Sequence, residues 1–247
     1  MAQSKPQSQS SKDSAAFATN GFLSMSVPDQ YYEAISVDLH NLEHEVRVIS
    51  SIAAGYDLQS VYQTKRVGRR FDSSVFLRLP SIYKAILTRR FIDALVTYFG
   101  GREPHLFYAS MIYVQPNMGE QLVHSDIDSD RFPTVTVLID IELAPATTRA
   151  IAGSHLTNNN DTPEHPYKAL PTAPITESDN IIMFDGRLLH HGIQVKEPVT
   201  KLALSFIPKY KDADEMRMYR QYCDDHGLDR SMSKTVEFPM LPLQYFM

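Results

Sequence analysis

A chain of 247 residues that is 43% hydrophobic and 21% charged has the makings of one domain around a good-sized core. Its net charge of −5, with no block of Lys and Arg, lacks the electrostatic footprint of a nucleic-acid binder, and no uncharged apolar stretch is long enough to span a bilayer as a helix. Its one cysteine, Cys223, excludes an internal disulfide and a thiolate zinc cluster and points to a reducing, cytoplasmic setting. Residues 1–20 are rich in Ser, Gln and Ala, with neither a secretory apolar core nor an Arg-rich amphipathic pattern. They read as a disordered leader, leaving a single domain over 21–247. Pro28 opens an apolar-periodic run that predicts a helix over about 28–53. A loop from Gly55 to Ser74 carries Lys65, Arg66, Arg69 and Arg70 and reads as a solvated face. Ile82, Ile86, Phe91, Leu95 and Tyr98 stand at helical spacing and predict a helix over about 80–99, ended by Gly100-Gly101.

From His105 to Tyr210 the character changes to short β runs broken by turn residues, at 105–115, 120–127, 134–141, 149–152, 180–184, 190–195 and 201–208. Many close-spaced strands with few helices between them argue for a sandwich or barrel and against a parallel α/β sheet. A helix from Ala213 to about His226 follows, then the apolar tail Phe238-Pro239-Met240-Leu241-Pro242-Leu243. That tail is expected to pack on the core or on a partner subunit, which makes a homodimer through it one expectation.

The chemistry-bearing residues lie within the β region. On a strand, residues i and i+2 share a face, so His124 and Asp126 can converge on one point. An imidazole and a carboxylate suit a divalent first-row metal. With 9 His and 29 acidic residues, however, roughly one His-x-acid triplet arises by chance, so the motif needs context. Downstream, Asn180-Ile181-Ile182-Met183-Phe184 leads into Asp185-Gly186-Arg187-Leu188-Leu189-His190-His191-Gly192. A second histidine on a later strand of the same barrel completes two His and one carboxylate on one face of a metal, with the opposite face open, as in non-haem iron(II) oxygenases. Adjacent strand residues face opposite sides, so one of His190 and His191 is the ligand, and the His-x-Gly phase favours His190. Lys201, Ala203 and Ser205 share one strand face, and a cation and a hydroxyl on an apolar interior call for an anionic ligand.

In order and spacing these segments resemble the cupin-barrel 2-oxoglutarate oxygenases, in particular the phytanoyl-CoA-hydroxylase-like and prolyl-4-hydroxylase-like branches. Tyr113-Val114-Gln115-Pro116-Asn117-Met118-Gly119 is similar to the strand entering the first metal motif, and Arg149-Ala150-Ile151-Ala152-Gly153-Ser154-His155 to the PGSH segment of the phytanoyl branch. Leu188 to Gly192 resembles the distal-histidine strand, and Lys201 to Phe206 the strand that anchors the co-substrate. Most relatives carry Arg where Lys201 stands, the prolyl-4-hydroxylase branch Lys; Ala152 replaces the usual Pro. The resemblance implies a mainly β fold with flanking helices around a double-stranded β-helix (jelly-roll, cupin-like) core. It implies Fe(II) held by His124, Asp126 and His190, with 2-oxoglutarate as co-substrate and O2 as oxidant. The far carboxylate of 2-oxoglutarate would be held by Lys201, Tyr113 and Ser205. The reaction implied is oxidation of a small-molecule C–H bond, with no nucleic acid or membrane as partner. His155 is expected to hydrogen-bond locally rather than ligate. A metal-dependent cupin that does not use 2-oxoglutarate, and a catalytically silent jelly-roll binding protein, are the alternatives.

Overall fold

The computed structural model describes residues 9–27, 66–70, 89–114, 120–121, 123–126, 133–140, 147–156, 173–174 and 180–225, with a few isolated positions besides. Of the expected helix over 28–53, positions 33, 34 and 37 are described and are helical, and the rest lies outside the described residues. Residues 80–88 and the apolar tail lie outside them as well, and so does the expected homodimer contact.

In chain order the elements are α1 (Gln9–Asn20), β1 (Phe22–Met25), β2 (Arg66–Arg70), α2 (Arg89–Tyr98), β3 (Pro104–Val114), β4 (Val135–Asp140) and β5 (Thr148–Ala150). A 3-10 turn (Ser154–Leu156), β6 (Ala173–Pro174), β7 (Ile181–Asp185), β8 (His190–Gly192), β9 (Val199–Pro208) and α3 (Ala213–Asp225) follow. Among the described residues no helix is long and apolar enough to cross a membrane.

The strands form two sheets, one six-stranded in the order β1-β7-β4-β9-β3-β2 and one three-stranded in the order β6-β5-β8, with every pairing antiparallel. Neighbours in the large sheet are far apart in sequence, β4 lying between β7 and β9, as in a jelly roll. Strand alternation sends Leu138, Ile182, Phe184 and Ala203 to one face, where they close a core with Ala150 of the small sheet and Leu188. The other face is apolar as well: every residue of β4 and of β7 is buried. These two strands are therefore covered on both sides and read as hydrophobic runs rather than as alternation.

The expected disordered leader is corrected by α1. Residues 9–20 are helical, with Phe17 1% exposed and Asp13 4% exposed. Phe17 stacks edge-on against Tyr98 of α2 at 5.1 Å, and Asp13 pairs with Arg90 at the start of α2. Gly21, at φ 81, ends the helix by donating its amide to Phe17 O at 2.8 Å. A Cβ at Gly21 would lie 2.5 Å from His155 Nδ1, so the close approach also requires glycine. Composition missed α1 because one large apolar residue and one ion pair anchor an otherwise polar stretch. Residues 66–70, read as part of a solvated loop, form the edge strand β2 on β3. Residues 120–127, read as a strand, contribute an isolated bridge at His124.

Candidate metal centre and co-substrate pocket

His124 and His190 are register partners in an antiparallel bridge, each amide donating to the other's carbonyl at 3.0 and 2.8 Å. Directly opposed residues project to the same side of a sheet, and the two rings stand 4.6 Å apart between centroids. Asp126 is drawn to them by main chain, its amide donating to Gly186 O at 2.9 Å. Its Oδ1 lies 3.7 Å from His124 Nε2 and 3.6 Å from His190 Nε2. One ligand atom from each of the three lies within 4.8 Å of the others. Adjacent ligands about 2.1 Å from an octahedral ion are roughly 3 Å apart, so closing on a metal asks each side chain to move by less than ~1 Å.

The imidazole of His190 is oriented for this role. Its Nδ1 meets Leu188 O at 2.8 Å; as a donor there, Nδ1 carries the ring proton and leaves the Nε2 lone pair for a metal. Phe184 packs on the ring at 4.5 Å. His191 belongs to the other face, with Nδ1 3.1 Å from Gln121 O, and burial pushes its pKa below the ordinary histidine value. Of the pair, it is His190 that the bridge brings beside His124 and Asp126.

The small sheet carries the pocket onward. Ala150 pairs with His190 and Thr148 pairs with Gly192, so Thr148 shares the His190 face about 7 Å further along the strand. There Lys201 Nζ, reaching across from the large sheet, donates to Thr148 Oγ1 at 3.1 Å. Both residues are buried, at 5% and 3% exposed. The pair sets a buried ammonium and a hydroxyl on the face that carries His190. Asp140, the register partner of Lys201 on β4, is buried on the same face.

Of the other two expected co-substrate residues, Ser205 is not brought to Lys201. In the backbone register Tyr113 pairs with Thr200, and Ile112 pairs with Lys201. Ser205 has the right phase but lies four residues along β9, about 13 Å away. It sits beside Thr136, whose hydroxyl approaches Asp126 Oδ2 at 3.5 Å, so it belongs to the metal end of the barrel.

Thr148 is a hydroxyl beside Lys201 that the sequence reading missed, and nothing in its local sequence marks it. Gln121 was also missed: its Nε2 lies 3.4 Å from His124 Nε2 and its Oε1 accepts from Gly192 N at 3.2 Å. A polar residue three before His124 in an expected strand was the one available signal. His155 bonds at long range, its Nε2 lying 3.1 Å from Ala18 O of α1, so it ties that helix to the segment after β5 and stands apart from the metal ligands.

No family model and no curated protein matches this chain. Solved structures do. AviO1 from Streptomyces viridochromogenes Tue57 superposes with a TM-score of 0.58 at 15% identity, over 82% of this chain and 96% of that one. SnoK, a non-heme alpha ketoglutarate dependent carbocyclase from nogalamycin biosynthesis, superposes with a TM-score of 0.53 at 14% identity, over 85% and 90%. EvdMO1 matches at 0.57 and 14% identity over 83% of this chain, which spans about half of that protein (51%). The chain shares its fold with these structures, a non-heme alpha ketoglutarate dependent enzyme among them. At these identities the likeness establishes the jelly-roll architecture, and the chemistry must be argued from the side chains.

Proposed function

We propose that this chain is an Fe(II)- and 2-oxoglutarate-dependent oxygenase. In this reading it oxidises, by hydroxylation as the default, an unactivated C–H bond of a small molecule such as an amino acid or natural-product intermediate. The observation that carries the proposal is the joint geometry: His124, Asp126 and His190 converge at one level of the barrel, and the buried Lys201–Thr148 pair shares that face further along. The cofactor dependence named for SnoK, on the same fold, supports it.

Each residue then has a physical task. His124 and His190 offer neutral nitrogens and Asp126 one negative charge, a set suited to ferrous iron that leaves positions open. With 2-oxoglutarate and O2, the bound iron supplies the oxidising chemistry, coupled to release of succinate and CO2. Lys201 pairs with the far carboxylate of the co-substrate, and Thr148, already bonded to the ammonium, orients it. Leu138, Ala150, Ile182, Phe184 and Leu188 line the interior and exclude water, which strengthens that ion pair. Neither nucleic acid nor membrane has a part in this reading, and the compartment proposed is the cytoplasm.

The test is anaerobic addition of Fe(II) and then 2-oxoglutarate, watching for the visible charge-transfer band of the chelate. A band in the wild type that is lost in Lys201→Ala is the expected result. Iron uptake with no band would favour a cupin that does not use 2-oxoglutarate. No iron uptake at all would overturn the proposal.

A further inference from the structure

Asp185 is wholly buried, at 0% exposed, and outside the ligand set, yet four donors converge on its carboxylate. Arg187 N and Nε donate to Oδ1 at 2.9 and 3.0 Å, and Arg187 Nη2 and Tyr98 OH donate to Oδ2 at 2.7 Å each. Tyr98 comes from α2, 87 residues away in sequence. Burial and the neighbouring Asp185 push its pKa upward, so the hydroxyl stays a donor. A buried ion pair is by itself poor evidence for stability, because well-packed apolar residues often serve as well. The question is what this one fixes.

It fixes a turn that touches the metal centre twice. Leu188 N donates to Asp185 O at 2.9 Å and closes the turn. Gly186, inside it, donates to Thr134 O and accepts from Asp126 N, both at 2.9 Å. Leu188 O, at its end, meets Nδ1 of His190 at 2.8 Å. One short segment therefore supplies the acceptor that anchors the Asp126 main chain and the acceptor that sets the His190 ring. Arg187 also leads directly into the strand that carries His190.

We infer that Asp185, Arg187 and Tyr98 are positioning residues for the metal centre, holding the turn on which the convergence of Asp126 and His190 depends. The inference rests on the metal reading above. It makes α2 a remote support of the site, since Tyr98 ties that helix to the turn.

The experiment is anaerobic titration of the full chain and its variants with Fe(II), and with Co(II), whose visible spectrum reports ligand geometry. Arg187→Ala should weaken Fe(II) binding by about 10–100-fold, the range found when outer partners of ligands are removed. Arg187→Lys should recover part of the loss, and Tyr98→Phe should weaken binding several-fold with an altered Co(II) band. If Arg187→Ala does not fold, Tyr98→Phe, which deletes one hydroxyl, carries the test. A purely stabilising role would lower the urea midpoint and leave the folded protein's affinity and spectrum unchanged. Wild-type affinity and spectrum in both Tyr98→Phe and Arg187→Lys would overturn the inference. A wild type that takes up neither metal would instead fail the metal reading itself, and the inference with it.

Discussion

Replacing Phe17 by alanine tests whether the N-terminal helix belongs to the fold. The ring is 1% exposed and stacks on Tyr98 at 5.1 Å, so its removal leaves a cavity between α1 and α2. Phe→Ala at such a site costs about 3–5 kcal/mol, from lost transfer energy plus the cavity term. Against a domain stability of about 5–15 kcal/mol that is a large fraction. With a urea slope of about 2–3 kcal/mol/M, the unfolding midpoint should drop by roughly 1–2.5 M. Equilibrium urea denaturation followed by far-UV circular dichroism measures it, with Ala16→Gly as a control at a position without this ring contact. A polar leader, by contrast, would tolerate the change within a few tenths of a kcal/mol. A Phe17→Ala midpoint equal to the wild type would refute the docking of α1, and with it the support that α1 gives to Tyr98.

Further expectations concern the pocket and the response to acid. Thr148→Val keeps the shape but removes the hydroxyl that Lys201 Nζ contacts, so 2-oxoglutarate affinity should fall by about 3–10-fold, while Fe(II) affinity holds. Calorimetric titration with each would show it, and equal losses for both would contradict the placement. Asp140→Asn removes a buried negative charge from the register position beside Lys201 and should raise 2-oxoglutarate affinity a few-fold; a loss of affinity would count against two anions sharing that cation. Burial pushes the pKa of His105 below its ordinary value, outweighing the pull of Glu103, and His191 is depressed by burial as well. The unfolded chain therefore takes up protons below about pH 6.5 that the folded chain refuses, so stability is fully present above that pH and falls as the pH drops toward the folded values. Urea midpoints should decline over that interval and decline less in His105→Gln; a flat profile in the wild type would refute the argument.

The candidate site was legible in part because metal ligation would demand particular residue types at strand spacing. The His124-Ser125-Asp126 triplet and the later His190-His191 pair declare themselves as donors, and alternation alone says that only one of an adjacent pair can face inward. Lys201 was legible for a similar reason: a cation among Leu202, Ala203 and Leu204 is out of place unless an anion meets it. Helix α3 was visible from its helical period, and β4 and β7 as short continuous apolar runs bounded by turn residues. The leader was misread because composition averages over a segment, and α1 is held by a few contacts of Phe17 and Asp13 with α2.

What the sequence determined by itself was the inventory of donors and the alternation of faces within each strand. Which faces meet was decided only in three dimensions. A shift of one residue in the pairing of β3 with β9 would exchange Tyr113 for Ile112 beside Lys201, and no local signal fixes that register. The partner hydroxyl of Lys201 comes from Thr148, 53 residues away on the other sheet. The bridge from His124 brings His190 beside it across a similar gap. Such pairings follow from how two sheets close over a common core, a property of the whole chain that spacing within any one segment does not contain.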